Sequence, residues 1–285
     1  MSTSRIAFLD VDGTLIDSGE RIAPSTIDAI RTARSNGHLV YVCTGRAAVE
    51  IYPVIRDIGF DGTISAGGGF AAIGDELVIS RTMPPETAER MARFFEQAGI
   101  DFYLQSYTEV FPSAGVRDRF IEYLLADVER TTGGPADAES LAALDAHPAI
   151  EAFSNVRPID FSGIAKAVFL GSDHTAFERV RDGLGEDFHV ITATIPHLGS
   201  SSGEVSLGGV NKGSTILQLL ERLDIPVSAS LGIGDSSNDV EMLQVCGVGI
   251  AMGNATDEIK AHADEVTTAV LDDGVWNAFR RHGLV

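Results

Sequence analysis

The chain has 285 residues, 44% of them apolar, which is enough to fill a sizeable core and favours two domains over one. Asp and Glu number 41 against 21 Lys and Arg, a formal net charge of −20; such a surface repels nucleic acid and anionic membranes. No run approaches the roughly eighteen uninterrupted apolar residues of a membrane span, and the two cysteines, Cys43 and Cys246, have neither pairing nor metal-ligand spacing. The first strand begins within a few residues of the N-terminus, leaving no room for a signal peptide, so a cytoplasmic protein with reduced thiols is expected.

In chain order, strands and helices alternate, the pattern of a parallel α/β sheet. Ile6–Leu9 is a short apolar run of the kind buried on both faces. A helix follows from about Ser25 to Ser35, with Ile27, Ile30 and Ala33 on one face and Gly37 at its end. His38–Cys43 is a second strand and Gly62–Ser65 a third, running into Gly67-Gly68-Gly69. At Met83-Pro84-Pro85 the texture changes to amphipathic helices, Glu86–Ala98, Asp118–Val128, Leu141–Leu144 and Thr175–Gly183, interleaved with strands Phe102–Leu104, Ala165–Leu170 and Phe188–Thr192. Phe120, Leu124 and Val128 share a face of the second helix and are expected in a core. The first texture then returns with helix Ser214–Leu223 and strands Ala229–Ile233 and Val248–Met252. An inserted domain within a split α/β domain fits this order: core 1–83, insert 84–206, core 207–285.

Chemistry concentrates where strands end. Asp10-Val11-Asp12-Gly13-Thr14 leaves the first strand, and alternation places Asp10 and Asp12 on one side if the extended conformation persists. Two carboxylates there are costly unless a cation, a proton or a substrate offsets them. Gly234-Asp235-Ser236-Ser237-Asn238-Asp239 follows another apolar strand, so Asp235 sits at a carboxyl edge, where open α/β sheets bind ligands. An ordinary helix-capping loop explains Asn238 or Asp239 taken alone. Thr44, after the second strand, offers a hydroxyl and neighbouring N–H groups to an anion, although a plain turn residue is the simpler reading. Lys212 precedes a helix N-terminus, where the dipole disfavours a cation and favours a bound anion. It is one of only three lysines, with Lys166 and Lys260.

Together, Asp10-Val11-Asp12-Gly13-Thr14, Thr44-Gly45-Arg46, Lys212-Gly213 and Gly234–Asp239 resemble, in composition and order, the four motifs of the haloacid dehalogenase superfamily. The long interval between the second and third resembles the Cof-like branch (subfamily IIB), whose large α/β cap lies there, and Ala251-Met252-Gly253-Asn254-Ala255 is similar to a sequence recurrent in that branch. The resemblance implies a Rossmann-like parallel-sheet core with an inserted α/β cap, and a Mg²⁺-dependent phosphatase acting on a small phosphomonoester, a sugar phosphate among the options, through an aspartyl-phosphate. It makes Asp10 the nucleophile and a metal ligand. Asp12 becomes the general acid and base, with its main-chain carbonyl on the metal, and Asp235 a further metal ligand. Thr44, Gly45, Lys212 and Asn238 hold the phosphoryl group, and Asp239 supports the site from behind these contacts.

The residue types suit that chemistry. A carboxylate attacking a phosphate dianion needs a hard cation and a lysine to offset the repulsion. One departure is Ala66-Gly67-Gly68-Gly69, where the branch commonly has Asn-Gly; it reads as a permissive turn or as a close approach to another element. A phosphomutase of the phosphomannomutase kind has similar motifs and remains the rival enzyme. From another class, a signalling receiver module also uses Asp, Thr, Lys and Mg²⁺, but places its acidic cluster and phosphoacceptor in different strands. A catalytically silent phosphate-binding protein is a further alternative.

Overall fold

The structure is a computed structural model that describes residues 4–138, 141, 148–192 and 201–285. Only Leu141 of the helix expected at 141–144 lies within that range, so the remainder of that expectation falls outside the described residues. The chain divides into two compact units, one of Met1–Arg81 with Gly209–Val285 and the other of Thr82–Gly208.

In the first unit Ile6–Leu9 forms β1, whose four side chains are all fully buried. Successive residues leave opposite faces. Ala7 and Leu9 pack with Ile30, Val40, Val42 and Phe279, while Ile6 and Phe8 pack with Tyr41, Ile64, Ile216 and Met242. Helices therefore cover both sides, which is why the strand reads as an unbroken apolar run rather than an alternating one. The sheet has eight strands: β13 (Glu265–Val266), β12 (Val248–Ala251), β11 (Ser230–Gly234), β1, β2 (Leu39–Cys43), β3 (Gly62–Ser65), β4 (Phe70–Ile73) and β5 (Glu76–Ser80). It is parallel from β13 to β3 and antiparallel from β3 to β5. The parallel-sheet core expected from the sequence is present, and it carries an antiparallel edge at β4 and β5. The links between β3, β4 and β5 are only a few residues long, and a parallel crossover needs a dozen or more.

Helix Pro24–Ser35 starts on a proline, whose fixed φ suits the first helical position. Its buried face is Thr26, Ala29, Ile30 and Ala33, with Ile27 only half-buried, so the expected face is rotated by about one residue.

In the second unit the sheet order is β7 (Val110–Pro112), β6 (Asp101–Gln105), β8 (Lys166–Leu170), β10 (Ser202–Leu207) and β9 (Phe188–Thr192), antiparallel throughout. Phe102, Leu104, Ala167, Phe169 and Val205 line one face and pack with Phe95 and Val180 of helices Pro85–Ala98 and Ala176–Leu184. On the other face, Lys166 and Glu204 form a buried ion pair at 2.6 Å. In helix Val116–Thr132, Phe120, Leu124 and Val128 are half-buried rather than core residues; Phe120 meets the Phe153 ring edge-on at 5.5 Å.

Candidate active site

Strand register brings the motifs together. Leu9 pairs with Val42 on one side and Ile233 on the other, so Asp10, Thr44 and Asp235 emerge close together along one carboxyl edge. Here the strand order reverses, which is where open α/β sheets hold their ligands.

The ladder runs one residue past β1, with the Asp10 N–H on the Ile233 carbonyl at 3.0 Å. There the extended conformation stops. The Val11 carbonyl accepts from the N–H groups of Thr14, Leu15 and Ile16, and the chain coils around that single oxygen. Strand alternation, the sequence argument for pairing Asp10 with Asp12, therefore does not reach Asp12. Asp10 is buried, whereas the Asp12 side chain is 44% exposed and both its oxygens accept from the Arg46 guanidinium at 2.7 and 2.9 Å. Gly13 adopts φ +88°, and a β-carbon there would lie 2.1 Å from an Asp235 carboxylate oxygen. Only glycine fits.

Lys212 is the first residue of helix Lys212–Arg222 rather than a residue preceding it; Asn211 is the cap, its Oδ1 accepting from the Ser214 N–H. Its ammonium is fully buried and donates to Asp10 Oδ1 at 2.6 Å, Asp239 Oδ1 at 2.6 Å and Asn238 Oδ1 at 3.0 Å. Burial pulls the Lys212 pKa down, but the Asp10 and Asp239 carboxylates outweigh it and hold it above the ordinary lysine value. Asp239 is fully occupied: Oδ2 takes the N–H groups of Asp235 and Ser236 and the Ser236 hydroxyl. The Gly67–Gly69 loop is a close approach. Gly68 has φ +102°, a β-carbon there would meet the Asn211 carbonyl at 2.2 Å, and its own carbonyl accepts from the Thr215 hydroxyl. The loop seats the helix that carries Lys212.

Oxygens of Asp10, Asp235 and Asp239, one from each, lie within 4.8 Å of one another. Thr14 Oγ1 donates to Asp235 Oδ1 at 3.3 Å, and Asn254 Nδ2 donates to the Gly13 carbonyl at 2.9 Å and Asp235 Oδ2 at 3.4 Å. Burial, then the Asp239 charge, pushes the Asp10 carboxyl well above its ordinary value and that of Asp235 up to about 7, against the opposing pull of Lys212. Four carboxylates, Asp10, Asp12, Asp235 and Asp239, thus face two cations, Lys212 and Arg46. An all-oxygen donor set with surplus negative charge fits a hard divalent cation such as Mg²⁺.

For an anion the donors are fewer than the sequence suggests. The Thr44 N–H is committed to the Ile64 carbonyl, and that of Arg46 to Thr44 Oγ1, which leaves the Thr44 hydroxyl proton to give. Asn238 uses its Oδ1 on Lys212 and Ser236, so its Nδ2 remains a donor. Gly45 is half-buried beside them. Sequence reasoning assigned nothing to Arg46, Thr14 or Asn254, although each stands in a motif it had quoted. Both cysteines are buried and their thiols raised by burial, that of Cys246 to about 12, as befits inert core groups.

The family model for haloacid dehalogenase-like hydrolases matches residues 7–279, and the chain belongs to that family. Phosphatase YwpJ of Bacillus subtilis strain 168 is 28% identical over 289 residues, covering 95% of this chain and 97% of its own. A haloacid dehalogenase-like hydrolase from the same species superposes with a TM-score of 0.77 at 24% identity, covering 98% of this chain and 99% of its own. The HAD subclass IIB sugar phosphatase BT4131 superposes with a TM-score of 0.75 at 22% identity, covering 99% and 100%. The core sheet with its inserted unit is thus the fold of this family.

Proposed function

We propose that this chain is a phosphatase that hydrolyses small phosphomonoesters at the edge formed by Asp10, Asp12, Lys212 and Asp235. One observation carries the reading: a buried lysine ties Asp10 to Asn238 and Asp239, beside a third carboxylate. Lys212 occupies Oδ1 of Asp10, and Oδ2, which has no hydrogen bond among the described residues, is left to attack phosphorus. As that bond forms, the bond from phosphorus to the leaving oxygen breaks, and Asp12 delivers a proton to that oxygen. Asp12 then takes a proton from the water that attacks the aspartyl-phosphate, and inorganic phosphate departs. Lys212, the Thr44 hydroxyl, Gly45 and the Asn238 amide hold the phosphoryl oxygens, so the attack is aligned and its charge stabilised. The carboxylates of Asp10 and Asp235 and the Asp12 main-chain carbonyl would hold magnesium, whose positive charge would offset the approach of two anions.

Residues 84–206, inserted between the motif residues Thr44 and Lys212, are read as the cap that selects the leaving group. The −20 charge favours a small soluble ester over nucleic acid, and among the described residues no helix is long and apolar enough to cross a membrane. The purified protein with Mg²⁺ is expected to release phosphate from some members of a broad phosphomonoester panel, and Asp10→Asn is expected to release none while keeping the wild-type fold. Phosphate passed to a second sugar hydroxyl rather than to water would identify a mutase. Silence across the panel, or an active Asp10→Asn, overturns the proposal.

A further inference from the structure

The pairing of Arg46 with Asp12 has no part in the reading above, yet it is built from several directions. Nε and Nη2 of Arg46 meet the two Asp12 oxygens at 2.9 and 2.7 Å, a planar fork on a carboxylate. The guanidinium carbon lies 4.2 Å from the centroid of the Tyr52 ring. Nη1 donates to the Glu50 carbonyl at 3.3 Å, and the Glu50 carboxylate accepts the Ala47 N–H at 2.7 Å, closing the same loop. The edge, the tip and one face of the guanidinium are thus each held. Fold stability alone gives little reason for this arrangement, because the Asp12 turn is already closed through the Val11 carbonyl and half-exposed ion pairs contribute little. Ordering two side chains costs entropy. What it provides is a carboxylate with one orientation.

We infer that Arg46 is the positioning residue of Asp12: fixed by Tyr52 and the Glu50 carbonyl, it holds that carboxylate where it exchanges a proton with the leaving-group oxygen. The inference rests on the phosphatase reading of the same site. In the step it serves, the leaving oxygen keeps the electron pair of the broken bond to phosphorus and takes the Asp12 proton. The carboxylate left behind is the species paired with Arg46 in the structure.

A leaving-group comparison tests this. A nitrophenolate departs without a proton and an alkoxide does not, and kcat/KM reports the steps up to transfer onto Asp10. Arg46→Ala is expected to lower kcat/KM about 100-fold for the best alkyl phosphate of the panel, and less than about 10-fold for p-nitrophenyl phosphate. With the alkyl ester at high enzyme concentration, adding Arg46→Ala to Asp12→Asn is expected to change the rate less than about twofold, because both substitutions remove one function. Tyr52→Leu, which removes the ring beneath the guanidinium together with the hydroxyl's interactions with Arg46 and Glu20, is expected to show the same selectivity in weaker form, and it tests the inference even if Arg46→Ala fails to fold. Equal losses on both esters, or an Arg46→Ala effect that multiplies the Asp12→Asn defect, overturn the inference and leave the phosphatase reading standing. Wild-type protein inactive on both esters overturns the two together.

Discussion

Asp235 makes the charge balance of the site measurable without any substrate. Its carboxyl rises from 3.8 to about 7, chiefly through burial and the Asp239 charge. A raised native pKa means that the folded state binds more protons than the unfolded state between those values, so stability is lost as pH climbs through that window. At about 1.4 kcal/mol per pH unit, the full effect is about 4 kcal/mol above pH 7 and nothing below pH 4. At about 2–4 °C per kcal/mol for a domain of this size, the melting temperature falls on the order of 10 °C between pH 5 and pH 8.5 in metal-free buffer. The proposed Mg²⁺ would offset this negative charge, so millimolar Mg²⁺ is expected to raise the melting temperature strongly at pH 8.5 and weakly at pH 5, where it competes with protons. Asp10, also raised by burial, adds a loss of the same sign, and His38, held below its ordinary pKa by burial, contributes with the opposite sign over part of this range. Asp235→Asn cancels that contribution in the comparison, since it retains His38 and discards the carboxylate. The assay is thermal unfolding of wild type and Asp235→Asn at both pH values, with EDTA and with Mg²⁺. A magnesium shift as large at pH 5 as at pH 8.5, or identical pH profiles for the two proteins, refutes the reasoning.

Two further substitutions probe the surroundings of these carboxylates. Gly13→Ala forces a β-carbon against Asp235 at a φ only glycine adopts readily; titration by calorimetry should show Mg²⁺ affinity down at least tenfold, while activity at saturating Mg²⁺ recovers in part. Lys212→Met leaves two buried carboxylates, Asp10 and Asp239, without their shared cation. Denaturant unfolding at pH 8 should show a loss of about 3–5 kcal/mol, most of it regained at pH 5, and turnover should fall about 1,000-fold.

Asp10, Asp235 and Lys212 were legible because each breaks a local expectation: a carboxylate ending a strand buried on both faces, or a rare lysine at the positive end of a helix. Those conflicts are one-dimensional and can be read from neighbours in the chain. Arg46 was not legible in this way. Its partner is chosen by the coil around the Val11 carbonyl, which turns Asp12 away from the strand's alternation and toward the loop after β2. The same holds for Gly68, whose need for glycine arises from Asn211, far along the chain. The β4–β5 edge was missed for a different reason: two short runs after a glycine turn carry too little periodicity to mark a reversal of direction.

The two aspartates of Asp10-Val11-Asp12 stand two residues apart in surroundings of opposite character, and that difference supports the division of labour proposed for them. Asp10 is buried, with one oxygen on Lys212 and the other without a hydrogen-bond partner among the described residues, so its charge is compensated by its neighbours more than by water. Asp12 is half-exposed with both oxygens on a guanidinium, which places it at the solvent side of a fixed ion pair. The structural cause of that contrast is the Val11 carbonyl, which ends the strand between them: extended backbone carried one residue further would bury Asp12 beside Asp10 and break its fork with Arg46. The proposed nucleophile is thus buried and the proposed acid half-exposed, and a single main-chain oxygen separates them.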